Sequence, residues 1–158
     1  MTMIEKHILK CYYFCNKLHY QGNKNIFQKI IKLVLSKYYS FLLKYLFGSF
    51  IPYNAKIGNN ADFIHSFHGI FISQSAQIGD NCKFLHHVTI GSNIQKGNHT
   101  EAPIIGNNVF IGAGAKIIGK TVIGNNCKIG AGCIIVNKNI LDNSIVYVDN
   151  IVIKEYEK

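Results

Sequence analysis

From residue 50 onward the apolar positions follow a period of six. Ile105, Ile111, Ile117, Ile123, Ile129, Ile135 and Leu141 recur at every sixth position, and an earlier set reads Ile72, Ile78, Phe84, Ile90. Two places before most of these lies a small or β-branched residue: Ala55, Ala76, Cys82, Val88, Val109, Ala115, Thr121, Cys127 and Cys133. A helix repeats at about 3.6 residues and a strand at 2, so a period of six fits neither. It fits very short strands joined by tight turns. Gly follows the aliphatic at 58, 79, 91, 106, 112, 124 and 130, and Ile-Gly-Asn-Asn occurs at 57–60, 105–108 and 123–126. Gly and Asn tolerate the positive φ that a recurring corner demands. Ile105 and Ile123 open the same phrase three hexapeptides apart, which predicts an all-β solenoid of triangular cross-section.

Two interruptions break this register. Ile57 and Ile78 are separated by one coil and a half-hexapeptide more, with the excess around His65-Ser66-Phe67-His68-Gly69. Ile78 and Ile105 are separated by one coil and a further hexapeptide and a half, with the excess in a loop at 92–103. Insertions into a solenoid emerge as loops on a face and commonly carry function.

Before residue 50 the spacing is helical: Ile4, Ile8, Cys11, Cys15 and Leu18, then Ile26, Ile30, Leu33, Val34, Tyr38, Leu42, Tyr45 and Leu46. Two amphipathic helices broken near Gly22 and Asn23 are expected. The predicted domains are therefore 1–49, the helices; 50–143, the solenoid; and 144–158, a C-terminal tail.

Composition narrows the function. Of 158 residues, 48% are hydrophobic and 16% charged, which excludes general disorder, and no apolar run is long enough to span a bilayer. All 17 basic residues are Lys. A chain without Arg lacks the planar fork used to read bases, so a nucleic-acid partner is not expected. The charge is lopsided: residues 1–50 hold eight Lys against Glu5 alone. The second helix is unusually apolar, with Lys between its apolar residues. Subunit or core packing is the preferred reading, and peripheral membrane contact through residues 23–47 the alternative. Five cysteines, an odd number without a CxxC pair, point to a reduced, cytoplasmic protein. Three of them occupy the small inward position of the repeat. Cys11 and Cys15 are read as packing residues, and no metal site is expected.

This pattern resembles the left-handed parallel β-helix acyltransferases of the hexapeptide-repeat family, in their serine acetyltransferase-like branch. The resemblance runs from about Phe50 to Asn143. It rests on Ile-Pro-Tyr-Asn-Ala-Lys-Ile-Gly (51–58), His65 followed by Gly69-Ile-Phe-Ile, Val-Thr-Ile-Gly-Ser (88–92), the run from Ala102 to Lys116, and Ile-Gly-Asn-Asn-Cys-Lys-Ile-Gly-Ala-Gly (123–132). It implies an acetyl-CoA-dependent O-acetyltransferase in which a loop His is the general base and no acyl-enzyme forms. His65 is the base implied, with His68 the alternative in the same loop. Backbone N–H groups of Gly91 and Ser92 are the implied oxyanion donors, although Gly91 also reads as one more repeat turn. Coenzyme A is expected along a groove at Gly112, Ala113, Gly130 and Ala131, with Lys116 or Lys138 toward its phosphates. Because such grooves lie between prisms, a homotrimer is implied.

The departures concern the acceptor. The family carries an Asp just before the base, a second Asp partnering it, and an Arg-His pair before the Pro of the long loop. Here those places hold Ile64, Phe50 and Glu101-Ala102, with His99 three places from the expected position. The closing Gly-x-Pro-Ala phrase is also absent. The expected acceptor is therefore a less charged hydroxyl, a sugar of a surface polysaccharide or its precursor. Serine O-acetylation for cysteine biosynthesis and a non-catalytic trimeric scaffold are the alternatives. His86 and His87 resemble a trimer-interface metal site only in part, so zinc is not favoured.

Overall fold

The structure, a computed structural model, describes residues 2–22, 25–94 and 100–148. Helix α1 (Met3–Tyr20) starts in a capping box: the Thr2 hydroxyl accepts from the Glu5 N–H, and the Glu5 carboxylate accepts from the Thr2 N–H at 2.7 Å. Burial raises the Glu5 carboxyl, but interactions with Ser66 and Thr2 outweigh that and leave its pKa below the ordinary value. Helix α2 (Ile26–Phe47) is capped by Asn25, whose side chain accepts from the Gln28 N–H, and stops at Gly48 in the left-handed region. The helices pack on each other through Ile8, Cys11, Cys15, Tyr39 and Leu43.

The remainder is a left-handed parallel β-helix of about five turns. Its three sheets run, in hydrogen-bonded order, through the strands at 56–57, 77–78, 104–105, 122–123 and 139–140; at 62–63, 83–84, 110–111, 128–129 and 145–146; and at 71–72, 89–91, 116–118 and 134–136. Each two- or three-residue strand turns one side chain inward, so Ile57, Ile78, Ile105, Ile123 and Ile140 form one ladder down the prism and Ile72, Ile90, Ile117 and Ile135 another. All nine small inward residues expected from the repeat are buried. The Ile-Gly-Asn-Asn phrase has a mechanical cause. Asp80, Asn107, Asn125 and Asp142 each accept, through Oδ1, a backbone N–H from the coil before, at 2.6–2.8 Å, while Asn60, Asn81, Asn108, Asn126 and Asn143 turn the corner at positive φ. Gly106 is required because a Cβ there would sit 2.8 Å from the Gly124 carbonyl carbon.

One end of the prism needs a lid, since the first coil has no preceding coil to meet its carbonyls. Helix α1 supplies donors: Tyr12 to Ala55 O at 2.6 Å, Tyr13 to Gly58 O at 2.7 Å, and Asn16 to Tyr53 O at 2.7 Å. Tyr39 of α2 does the same for Ile51 O at 3.2 Å. Burial pushes the Tyr12 and Tyr39 phenols far above their ordinary pKa, which keeps both as neutral donors. The helical pair is thus the capping unit of the solenoid.

Two details differ from the sequence expectation. Leu141 keeps the six-residue spacing but is 80% exposed, and Ile140 takes its place in the ladder opposite Ile123. The cause is a shorter corner: Lys120-Thr121 separates strands 116–118 and 122–123 beyond Gly119, whereas Lys138 alone follows Asn137 one coil later. The final coil is therefore one residue short, with Asn125 bonding Asp142 and Asn126 bonding Asn143. The β-helix also continues past residue 143, because Ile145–Val146 pairs with Lys128–Ile129.

Candidate active site

One corner of the prism, between the sheet of strands 62–63 to 145–146 and the sheet of strands 71–72 to 134–136, collects most of the expected site residues. At its top is the inserted loop 64–69, followed downward by Leu85-His86-His87, Gly112-Ala113-Gly114 and Gly130-Ala131-Gly132. Backbone bonds stack these steps: the His87 N–H donates to His68 O at 2.8 Å, Gly114 N–H to His86 O at 3.0 Å, and Gly132 N–H to Ala113 O at 2.8 Å. A Cβ at Gly112 would stand 2.6 Å from the Ala131 nitrogen, so this column stays narrow only with Gly there. The N–H groups of Gly112 and Gly130 are engaged by Ile129 O and Val146 O at 2.8 and 2.7 Å, within the solenoid.

The loop with the two histidines is held from both sides. Phe67 is fully buried against Phe63 and Phe47, with ring centroids at 4.7 and 5.6 Å. The end of α2 clamps the residues just after it. Gly69 N–H donates to Phe47 O at 3.0 Å, Ile70 N–H donates to the Ser49 hydroxyl at 2.8 Å, and that hydroxyl donates to Phe67 O. Ser66 takes positive φ, and its hydroxyl is buried without a hydrogen-bonding partner; Glu5 lies within its electrostatic reach. His65 and His68, on either side of this anchor, are both exposed but face different neighbours. His65 lies edge-on to His86, centroids 5.4 Å apart, and His86 lies edge-on to His87 at 5.3 Å. His68 packs on Phe47 at 5.2 Å and opens into a cleft of about 550 Å³ with Phe71, His87, Thr89 and Lys116.

Two further clefts meet this one at Phe71. One, of about 350 Å³, lies between Phe50, Ser73, Gly91 and Ser92. The other, of about 620 Å³, lies between α2 and the first coil and is lined by Leu43, Lys44, Phe50 and Ile51. Among the described residues no Asp or Glu lines any of the three. Phe50 and Ile64 are 54% and 43% exposed. Asp62 points outward on its own sheet, and Glu101 belongs to the hairpin of Asn93–Ile94 with Thr100–Glu101. His99 lies outside the described residues.

Gly91 differs from the other repeat glycines. None of the repeat glycines at 58, 79, 91, 106, 112, 124 and 130 has positive φ; the others are needed for close approach to the next coil, whereas a Cβ built on Gly91 would meet only Ile118 and Thr89 side-chain carbons at an ordinary 3.8 Å. The fold does not require Gly there. Lys116 is brought beside His87 and Thr89, whereas Lys138 sits on the next corner, bonded through its backbone to Val122, away from Ala113 and Ala131. Phe71 and Thr89 were not read as site residues in the sequence, and His87 was weighed only as a metal ligand; Phe71 and Thr89 hold the outward place in their strands, and only the outward phase of the repeat marks them. The thiols are buried, and burial raises Cys11 and Cys82 and pushes Cys15 up to about 11. Among the described residues no three His, Cys, Asp or Glu come together as a metal site.

The family model for the bacterial transferase hexapeptide, six repeats, matches residues 102–137. Among solved structures, isoform 3 of serine acetyltransferase from Entamoeba histolytica, in complex with cysteine, is similar at 29% identity and TM-score 0.76, over 99% of this chain and 52% of that one. The hexapeptide repeat is thus matched over residues 102–137, and the fold is similar to that of serine acetyltransferases. Serine acetyltransferase of Neisseria gonorrhoeae in complex with serine is similar at 28% identity and TM-score 0.72, over 92% of this chain and 55% of that one. A serine acetyltransferase in complex with CoA is similar at 28% identity and TM-score 0.64, over 85% and 50%. The chain spans about half the length of the structures it matches. No curated protein matches it.

Proposed function

We propose that this chain is an acetyl-CoA-dependent O-acetyltransferase acting on an uncharged hydroxyl. The observation that carries the reading is the single corner on which the histidine loop stacks above the narrow steps at Ala113 and Ala131. A small-residue column gives pantetheine room to lie along the prism. With the Gly112 and Gly130 N–H groups already used, Ala113 and Ala131 are the backbone positions assigned to its amides. Lys116 is the cation placed toward its phosphates, and the second wall of the groove belongs to a neighbouring copy in a homotrimer. Five buried, unpaired thiols accord with a reduced, cytoplasmic setting.

In the reaction the imidazole of His65 takes the proton of the acceptor hydroxyl as the oxygen attacks the thioester carbonyl. The oxyanion that develops is met by the N–H groups of Gly91 and Ser92. Collapse breaks the C–S bond, and the imidazolium returns the proton to the departing thiolate. His86, edge-on to His65, is the group placed to orient that base where the family has Asp. The scheme uses no thiol: all five cysteines are buried, and burial raises Cys11, Cys15 and Cys82.

Three variants test this scheme. Ala113→Trp abolishes acetyl-CoA binding in calorimetry and leaves the circular dichroism spectrum unchanged, because the residue lies on the corner outside the packed interior. Normal binding by this variant contradicts the groove. Gly91→Ala and Gly106→Ala form a contrasting pair. The first changes stability by no more than about 0.5 kcal/mol but slows turnover roughly tenfold to a hundredfold by crowding the oxyanion. The second costs about 1–3 kcal/mol through the backbone clash. Equal destabilisation by both, with turnover intact for Gly91→Ala, makes Gly91 a repeat turn only.

The acceptor assignment rests on the three clefts without a carboxylate. Lys44 and Lys116 line them, and among the described residues no carboxylate there meets an ammonium. A sugar hydroxyl of a surface polysaccharide or its precursor fits this polarity, with Phe50 and Phe71 as flat apolar faces. The second reading, O-acetylation of serine, is favoured by the likeness to the serine-bound Neisseria gonorrhoeae structure.

A further inference from the structure

Helix α2 is apolar on both sides. Its inner side is set by the buried Ser36, Tyr39 and Leu43, beneath which lie α1 and the first coil. At 100° per residue the opposite side carries Phe27, Ile30, Val34, Phe41 and Tyr45, spaced by three, four, seven and four residues. All five are exposed, Phe27 at 66% and Phe41 at 58%, and Phe41 packs on Tyr45 with centroids at 4.5 Å. Met3, Ile4 and Phe14 of α1 are exposed as well, and Met3 and Ile4 line one groove with Tyr38 and Leu46 of α2. Nothing in the lid's work on the first coil asks for these residues, because the capping hydrogen bonds come from Tyr12, Tyr13, Asn16 and Tyr39.

The charges around this face are of one sign. At 100° per residue Lys37 and Lys44 flank this face, Lys6, Lys10, Lys17 and Lys29 are exposed elsewhere on the two helices, and the single acid before residue 50, Glu5, is buried in the capping box. A two-fold contact between copies through this face would set lysines against lysines with no carboxylate between them. A surface that offers hydrocarbon and negative charge together satisfies both features at once. Neither helix is long and apolar enough to cross a membrane, so the contact lies along the surface.

We infer that the outer face of α2, with the exposed start of α1, docks on the surface of an anionic phospholipid bilayer. The prism then stands away from the membrane, because the face lies opposite the side that caps the first coil. Its test does not depend on the acetyl-transfer reading.

The probe is co-sedimentation of the full chain with vesicles of phosphatidylglycerol and phosphatidylcholine in equal parts, against phosphatidylcholine alone. The chain binds the anionic vesicles at least about tenfold more tightly, and added salt weakens that preference. The double variant Phe27→Glu, Phe41→Glu binds about tenfold or more weakly to anionic vesicles with its circular dichroism unchanged. The double variant Lys37→Glu, Lys44→Glu loses the anionic preference alone. Absence of binding to the anionic vesicles overturns the inference, as does binding that the Phe variants leave untouched. If those variants change only the sedimentation of free protein, the face is an interface between copies and the inference also fails.

Discussion

His65→Ala leaves a folded β-helix and lowers acetyl-CoA turnover by about 10²- to 10⁴-fold, the usual contribution of a general base. The fold survives because His65 is exposed and lies in the inserted loop, outside the repeat register. The loop is anchored instead by buried Phe67 and by the Ser49 and Phe47 contacts, none of which involves the imidazole. Free thiol release is the measurement, with circular dichroism and sedimentation of each variant as controls. His68→Ala is the necessary companion. Its ring opens into the cleft with Thr89 and Lys116, so its loss lowers binding of a ligand there more than it lowers the maximal rate. If instead only His68→Ala abolishes turnover, the base is His68 and not His65. If both variants keep full activity, the base is neither histidine of this loop; if the unsubstituted chain releases no thiol with any acceptor, the non-catalytic scaffold becomes the better reading.

Much of the fold was legible because a solenoid writes its geometry into a period. The isoleucine ladder, the small inward residues and the excess at His65–Gly69 all follow from spacing, and the structure has them in those places. Leu141 shows where spacing fails. A one-residue shortening at Lys138 is silent in the sequence, because Ile140 and Leu141 are equally apolar and only the Asn125–Asp142 ladder bond distinguishes them. The helices were legible as helices, but their task was not. That Tyr12, Tyr13 and Asn16 meet the carbonyls of the first coil depends on contacts between segments distant in the chain, which no local pattern records. For the site, the motif phrases marked the loop and the small residues. Periodicity carries no information on the outward side chains, so the cleft at Phe50 and Phe71 emerged only from the folded corner.

An uncharged sugar or glycan fragment accepts the acetyl group faster than L-serine, by a factor of roughly a thousand or more. The magnitude follows from the ammonium of serine, which would enter a site without a counter-charge, and leaving such a group unpaired in a closed site costs several kcal/mol. Phe50 and Ile64 stand where the resemblance expects Asp, and among the described residues the three clefts that meet at Phe71 are lined by Lys44, Lys116, aromatic rings and uncharged side chains, with no carboxylate. Thiol release from acetyl-CoA against a panel of monosaccharides, oligosaccharides and L-serine measures the ratio directly. Efficient serine acetylation would mean that another carboxylate closes over the site, with Asp62 and Glu101 the two to replace by Asn and Gln. The base, the groove and the fold would stand in that case, and the assignment of an uncharged acceptor would not. The double variant Phe50→Asp, Ile64→Asp sharpens the comparison: restoring the two carboxylates raises serine turnover if charge is what excludes serine, and leaves it unchanged if shape does.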